Sequence, residues 1–118
     1  MVLGPLCGIF FLWAPLSALP LHFEPNRGQA PASALYLAPN GPNLALFSAA
    51  GPTFAQGGAR ISMTLGGASH RAPLAESPLP GRSNYFLPAV RIAGVPHFGT
   101  LRYAGVYRGI DLVFYGDE

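Results

Sequence analysis

His22 and Glu24 stand two residues apart in the run Leu21-His22-Phe23-Glu24. On an extended segment, an imidazole and a carboxylate so placed point to the same side, which is how one strand can offer two ligands to a metal ion. Two ligands of mixed type do not make a site. A structural zinc takes four, and neither His70 nor His97 stands at metal-ligand spacing from this pair. The expectation is therefore no metal and no other cofactor. His97, Asp111 and a serine such as Ser83 supply the residue types of a nucleophilic triad. No Gly-x-Ser-x-Gly turn frames any serine, and Asp111, following Gly109 in Tyr-Arg-Gly-Ile-Asp, reads as a strand start. No catalytic residue is assigned, and the expectation is a protein that is not an enzyme.

Two further groups of side chains have a chemical and an architectural reading. Glu24, Asn26, Arg27 and Gln29 could make a polar binding loop. The alternative is a tight turn over Pro25 to Gly28, with Asn26 capping backbone groups, Gly28 at positive φ and Glu24 paired with Arg27. The aromatics of Asn84-Tyr85-Phe86, of Tyr103 and Tyr107, and of Phe114-Tyr115 would form a sugar-binding platform if exposed. At strand spacing, such residues more often form core and cross-strand pairs.

The elements that must position these groups read as short strands. Arg60 to Leu65 alternates, with Ile61, Met63 and Leu65 on the side expected to face a core. Ala34–Ala38, Leu44–Ser48, Asn84–Leu87, Thr100–Tyr103 and Asp111–Tyr115 are further candidates, separated by Gly- and Pro-rich turn chemistry. Pro73 to Gly81 reads as an extended connector crossing between sheets. No window offers an amphipathic helix free of Gly and Pro, so the expected class is all-β, a β-sandwich. In the last strand Leu112 and Phe114 fall on one face, Val113 and Tyr115 on the other, which implies cover on both sides. Because the sequence stops just after that strand, the expectation is a domain that is incomplete at its C-terminus.

Composition narrows the function classes. Hydrophobic residues make up 50% of the 118 residues and charged ones 10%, with fifteen glycines and thirteen prolines. All seven basic residues are arginines, and with five acids the net charge is +2, too weak and scattered for a nucleic-acid surface. Cys7 is alone and has no internal disulfide partner. Residues 1–19 carry no charge and are rich in Leu, Phe, Ile and Trp, with Ser17 and Ala18 near a plausible cleavage point. They read as a secretory signal peptide, with an uncleaved anchor or a buried core strand as rivals, and residues 20–118 as one β-rich domain.

Three stretches go beyond composition: Phe-Glu-Pro-Asn-Arg-Gly-Gln at Phe23 to Gln29, Asn84-Tyr85-Phe86, and Val95 to Gly116 with its Tyr-Arg-Gly-Ile-Asp-Leu-Val-Phe-Tyr-Gly ending. In sequence, order and spacing they resemble the N-terminal domain of unknown function of large bacterial exported proteins carrying beta-propeller (SBBP) repeats. The matching positions are Phe23, Glu24, Asn26, Arg27, Gly28, Gln29, Asn84, Tyr85, Phe86, Tyr103, Tyr107, Gly109, Ile110, Asp111, Tyr115 and Gly116. Arg108 stands where that family usually has proline. The resemblance implies an extracellular or cell-envelope protein whose leading β-domain is followed by further strands and repeats. It carries over no catalytic or binding residue. The expected function is a non-enzymatic structural or interaction module; a carbohydrate-binding β-sandwich and an accessory part of a secreted hydrolase are the alternatives. Expected partners are an extracellular glycan or protein and the downstream domains of the same chain, with no nucleic acid.

Overall fold

Two-residue loops set the architecture. Asn40 faces Asn43, Ser48 faces Gly51 and Gln56 faces Ala59 across successive antiparallel pairs. Gly41 and Gly57 occupy the first loop positions with φ of 61° and 60°, the conformation that a type II′ hairpin demands and glycine adopts without strain. The result, seen in a computed structural model that describes residues 21–116 and the backbone of Val2–Leu3 and Ile9–Leu12, is an antiparallel meander. It comprises β3 (Glu24–Pro25), β4 (Tyr36–Asn40), β5 (Asn43–Ser48), β6 (Gly51–Gln56) and β7 (Ala59–Ser62), hydrogen-bonded in that order; β1 (Val2–Leu3) and β2 (Ile9–Leu12) precede it.

After residues 63–73 the chain enters the second sheet. Here β8 (Leu74–Leu87), β9 (Val90–Tyr107) and β10 (Ile110–Tyr115) form two further hairpins, and the sheet order is β1-β2-β10-β9-β8. Only β2 and β10 pair in parallel. Among the described residues there is no helix, and the fold is the expected all-β, sandwich-like one. The signal-peptide reading of residues 1–19 lies outside the described residues, apart from the backbone of β1 and β2.

One side of the sandwich is closed by the first motif. Phe23 exchanges two backbone hydrogen bonds with Phe98 of β9 (2.8 and 2.9 Å), while the next residue, Glu24, pairs with Leu37 of β4. The chain changes sheets between Phe23 and Glu24, so this stretch is a corner. Phe23 is fully buried and meets Phe47 edge-on at 5.5 Å; Phe47 meets Phe114 at 5.2 Å and Phe114 meets Tyr103 at 5.9 Å. Edge-to-face contacts of this kind suit the ring quadrupole. They link the inner faces of both sheets with Leu101, Val106 and Leu112.

Three features differ from the expectations. β6 is not among the expected strands; it starts at Gly51 and Pro52, residue types that are uncommon in strand interiors. Pro73 to Gly81 is not a connector: from Leu74 it is the first half of β8, an edge strand where Pro78 and Pro80 need not donate to a second neighbour. Irregularities between Leu79 and Arg82 and between Ser83 and Tyr85 bend that strand. The alternating strand over Arg60 to Leu65 shortens to Ser62; Ile61 is 69% exposed, while Met63 and Leu65 pack on the core from beyond the strand. In β10, Leu112, Val113 and Phe114 are all buried, as the two-faced apolar pattern implies.

Candidate functional site

Because side chains alternate along an extended chain, turning Phe23 into the core turns His22 and Glu24 the other way. There they meet Ser83 and Tyr85 of β8 and His97 of β9. Glu24, its side chain 1% exposed, is the hub. Its Oε2 accepts from His22 Nε2 at 2.6 Å and from the Ser83 hydroxyl at 3.1 Å, and its Oε1 accepts a short hydrogen bond from the Tyr85 hydroxyl. Ser83 Oγ also lies 2.6 Å from His97 Nε2. Since Ser83 has one proton and gives it to the carboxylate, His97 carries its own proton on Nε2 and donates to Ser83. The two imidazoles stack at 3.7 Å, 15° from parallel.

Burial by itself would raise the Glu24 pKa. The hydrogen bonds from His22, Tyr85 and Ser83, with the charge of His22, outweigh it and hold the carboxyl below its ordinary value. His97 is shifted down, by burial first and then by repulsion from His22, against a smaller attraction from Glu24. Tyr85 is shifted up, by burial and then by its bond to the Glu24 carboxylate, so it stays a donor. At neutral pH the centre is thus a buried carboxylate facing a neutral His97. Beside the two histidines opens a cleft of about 410 Å³, lined also by Leu21, Leu79, Gly81 and Gly99. A Cβ on Gly81 would stand 2.9 Å from His97 Nδ1, so glycine there makes room for the ring.

This arrangement corrects three sequence readings. Glu24 does not pair with Arg27, which is exposed; its partners are His22, Ser83 and Tyr85. His22 and Glu24 are not an isolated pair, because the Phe23–Phe98 bridge brings His97 beside them: Nε2 lies 3.7 Å from Glu24 Oε2. Ser83 and His97 do meet, but without Asp111, which accepts from Arg102 at 3.1 Å and from the Gly105 N–H at 2.8 Å. The acid beside them, Glu24, sits on the Ser83 side of His97 rather than behind its Nδ1, so the three do not form a nucleophile, base and orienting acid in series.

The remaining motif residues are occupied by architecture. Asn26 Nδ2 donates to the carbonyls of Ala30, Pro31 and Ala34 at 2.7–3.1 Å, and its Oδ1 accepts from the N–H groups of Gly28 and Ala30. Gln29 bridges Pro25 O and Arg27 N, and Gly28 has a φ of 119°, so the expected turn chemistry is present. Asn84 accepts from Gly94 N. Tyr103 is buried with its hydroxyl on Ser48 O, so its ring is not open to a sugar, and Tyr107, half-buried, donates to Gly66 O. Phe86 is 71% exposed, with the Arg91 guanidinium 5.9 Å from its centroid. Gly109 makes the β9–β10 turn at φ 74°, Ile110 packs on the core, and Tyr115 lines an apolar cleft of about 180 Å³ with Phe23 and Phe54. Gly116 lies so close to Leu21 that a Cβ would stand 2.3 Å from Leu21 Cβ.

Sequence reasoning missed Ser83 and Tyr85 as partners of Glu24. The available signal was their own two-residue spacing, which mirrors that of His22 and Glu24. Comparison with known proteins gives no match to a curated protein or to a solved structure. A family model does match residues 23–118, a span that begins at Phe23 of the corner and takes in every motif described above. The chain therefore belongs to the family described as "Domain of unknown function (DUF7948)".

Proposed function

We propose that this domain is a non-enzymatic structural or interaction module that leads a larger secreted or cell-surface protein carrying SBBP repeats. One observation carries the reading: the motif side chains are spent on closing the fold. Asn26 and Gln29 tie the corner loop to backbone, Glu24 ties the corner to β8, and Asp111 ties β9 to β10. A catalytic constellation would instead leave a nucleophile facing a cleft beside oxyanion donors. The apolar residues 1–19 and the SBBP-like order of the motifs support export.

Two measurements test this. Protease treatment of intact cells making the complete protein should remove an epitope placed in the exposed Gly57–Gly58 loop; full protection of that epitope would count against surface display. The purified chain should hydrolyse no ester, peptide or glycoside model substrate. Turnover abolished by Ser83→Ala in a folded protein would replace the module reading with a hydrolytic one.

A further inference from the structure

We propose that His22, Glu24 and His97 form a binding site for one divalent transition-metal ion of the Zn²⁺ type. The proposal is independent of the module reading. Three features of the centre carry it: the donor set, its spacing and its outer partners.

One imidazole nitrogen from each of His22 and His97 and one carboxylate oxygen of Glu24 all lie within 4.8 Å of one another, and both Nε2 atoms approach Glu24 Oε2. Ligands at about 2.0–2.1 Å around a tetrahedral ion stand about 3.3 Å apart. The His97–Glu24 separation is 3.7 Å and the His22–Glu24 separation is 2.6 Å. The ion would therefore open the shorter contact by about 0.7 Å and close the longer one by about 0.4 Å, and the stacked rings would splay so that both lone pairs converge. Each imidazole would bind through Nε2 with its proton moved to Nδ1, which needs a change of tautomer rather than a redox or covalent step. Nitrogen donors select Zn²⁺ or Co²⁺ over Mg²⁺ and Ca²⁺, which require six or more oxygens.

The surroundings fit an ion as well as the ligands do. Tyr85 holds Glu24 through Oε1, which is the role of an outer-shell donor in metal sites, while Oε2 lies on the side of both histidines and Ser83; an ion would displace the Ser83 hydroxyl from His97 Nε2. The cleft of about 410 Å³ that both histidines line would give water or a small ligand access to a fourth coordination position. The buried negative charge of Glu24 has no arginine partner among the described residues, and a cation would neutralise it.

The test is titration of the EDTA-stripped full chain with Zn²⁺ by calorimetry, and with Co²⁺ by visible absorption. Expected are one equivalent of Zn²⁺, tetrahedral Co²⁺ bands, a raised thermal midpoint and no response to Mg²⁺. His22→Ala and His97→Ala should each weaken Zn²⁺ by more than about 100-fold, Tyr85→Phe by about 10-fold, and His70→Ala not at all. Proton NMR of the unmutated chain, which does not depend on any variant folding, should show Zn²⁺ shifting the imidazole signals of His22 and His97 and not of His70. Absence of binding by the folded chain, or affinity that survives His22→Ala and His97→Ala together, would overturn the proposal.

Discussion

Two ionic clusters in this domain have similar numbers of partners and opposite surroundings. Around Arg102, the Nε reaches both oxygens of Glu76 and Nη1 reaches Asp111, all at 3.1 Å, yet the three side chains are 30%, 41% and 33% exposed. Around Glu24 a carboxylate 1% exposed is held by His22, Ser83 and Tyr85, none of them a permanent cation. The first cluster exchanges water for charge in a medium that screens it; in the second the carboxylate itself is withdrawn from water. Charge pairing alone is thus a poor guide to which cluster holds the fold. What each group would face if its partner vanished is the better guide.

The largest effect should come from Glu24→Ala. It strips three half-buried donors of their acceptor and leaves a hole at the corner where the chain changes sheets, at a cost of about 3–5 kcal/mol. A denaturant titration that finds less than about 1 kcal/mol would break the comparison. Tyr85→Phe removes one charge-assisted bond while keeping the ring, and should cost about 1.5–3 kcal/mol by the same measurement.

Acid should act on the same centre, in two stages. The folded-state pKa of His97 lies below its ordinary 6.5, so below that pH the unfolded chain binds a proton that the folded chain refuses, and stability falls as pH drops from about 7. Glu24 is also depressed, from an ordinary 4.5, so its contribution is present above that value and is lost as pH falls through the folded one. Urea midpoints of the metal-free chain at several pH values should decline in both windows. Replacing His97 with Gln should remove the upper decline and keep the lower.

The contrast between clusters also marks how far the sequence could be read. Class and core were legible locally: the apolar run of β10 and the Gly- and Pro-rich turn chemistry between short strands announce an all-β chain, and Leu112 and Phe114 do face the core. Asn26 and Gly28 were legible because a turn acts on residues a few positions away. The centre was not, because Glu24 meets its partners 59 and 61 residues further on. That meeting depends on one long-range event, the pairing of Phe23 with Phe98, which no local pattern encodes. Arg27 was the only charge near Glu24 in sequence, and the alternation that sends Glu24 toward β8 leaves Arg27 in solvent.

The smallest expected effect belongs to Glu76→Gln, at below about 1 kcal/mol. The exposed carboxylate contributes through charge, so raising salt to about 1 M, where the screening length is about 3 Å, should erase the difference between variant and parent. The cost of Tyr85→Phe should survive the same salt, since its hydrogen bond to Glu24 is shielded from ions. Asp111 sharpens the point: besides Arg102 it accepts from the Gly105 N–H where β9 and β10 slip register, and Gly105 sits at φ 61°. If Glu76→Gln instead cost more than Tyr85→Phe, and did so in high salt, Arg102 would be holding Asp111 on that irregularity. The exposed cluster would then be the lock of the domain and the buried one its accessory.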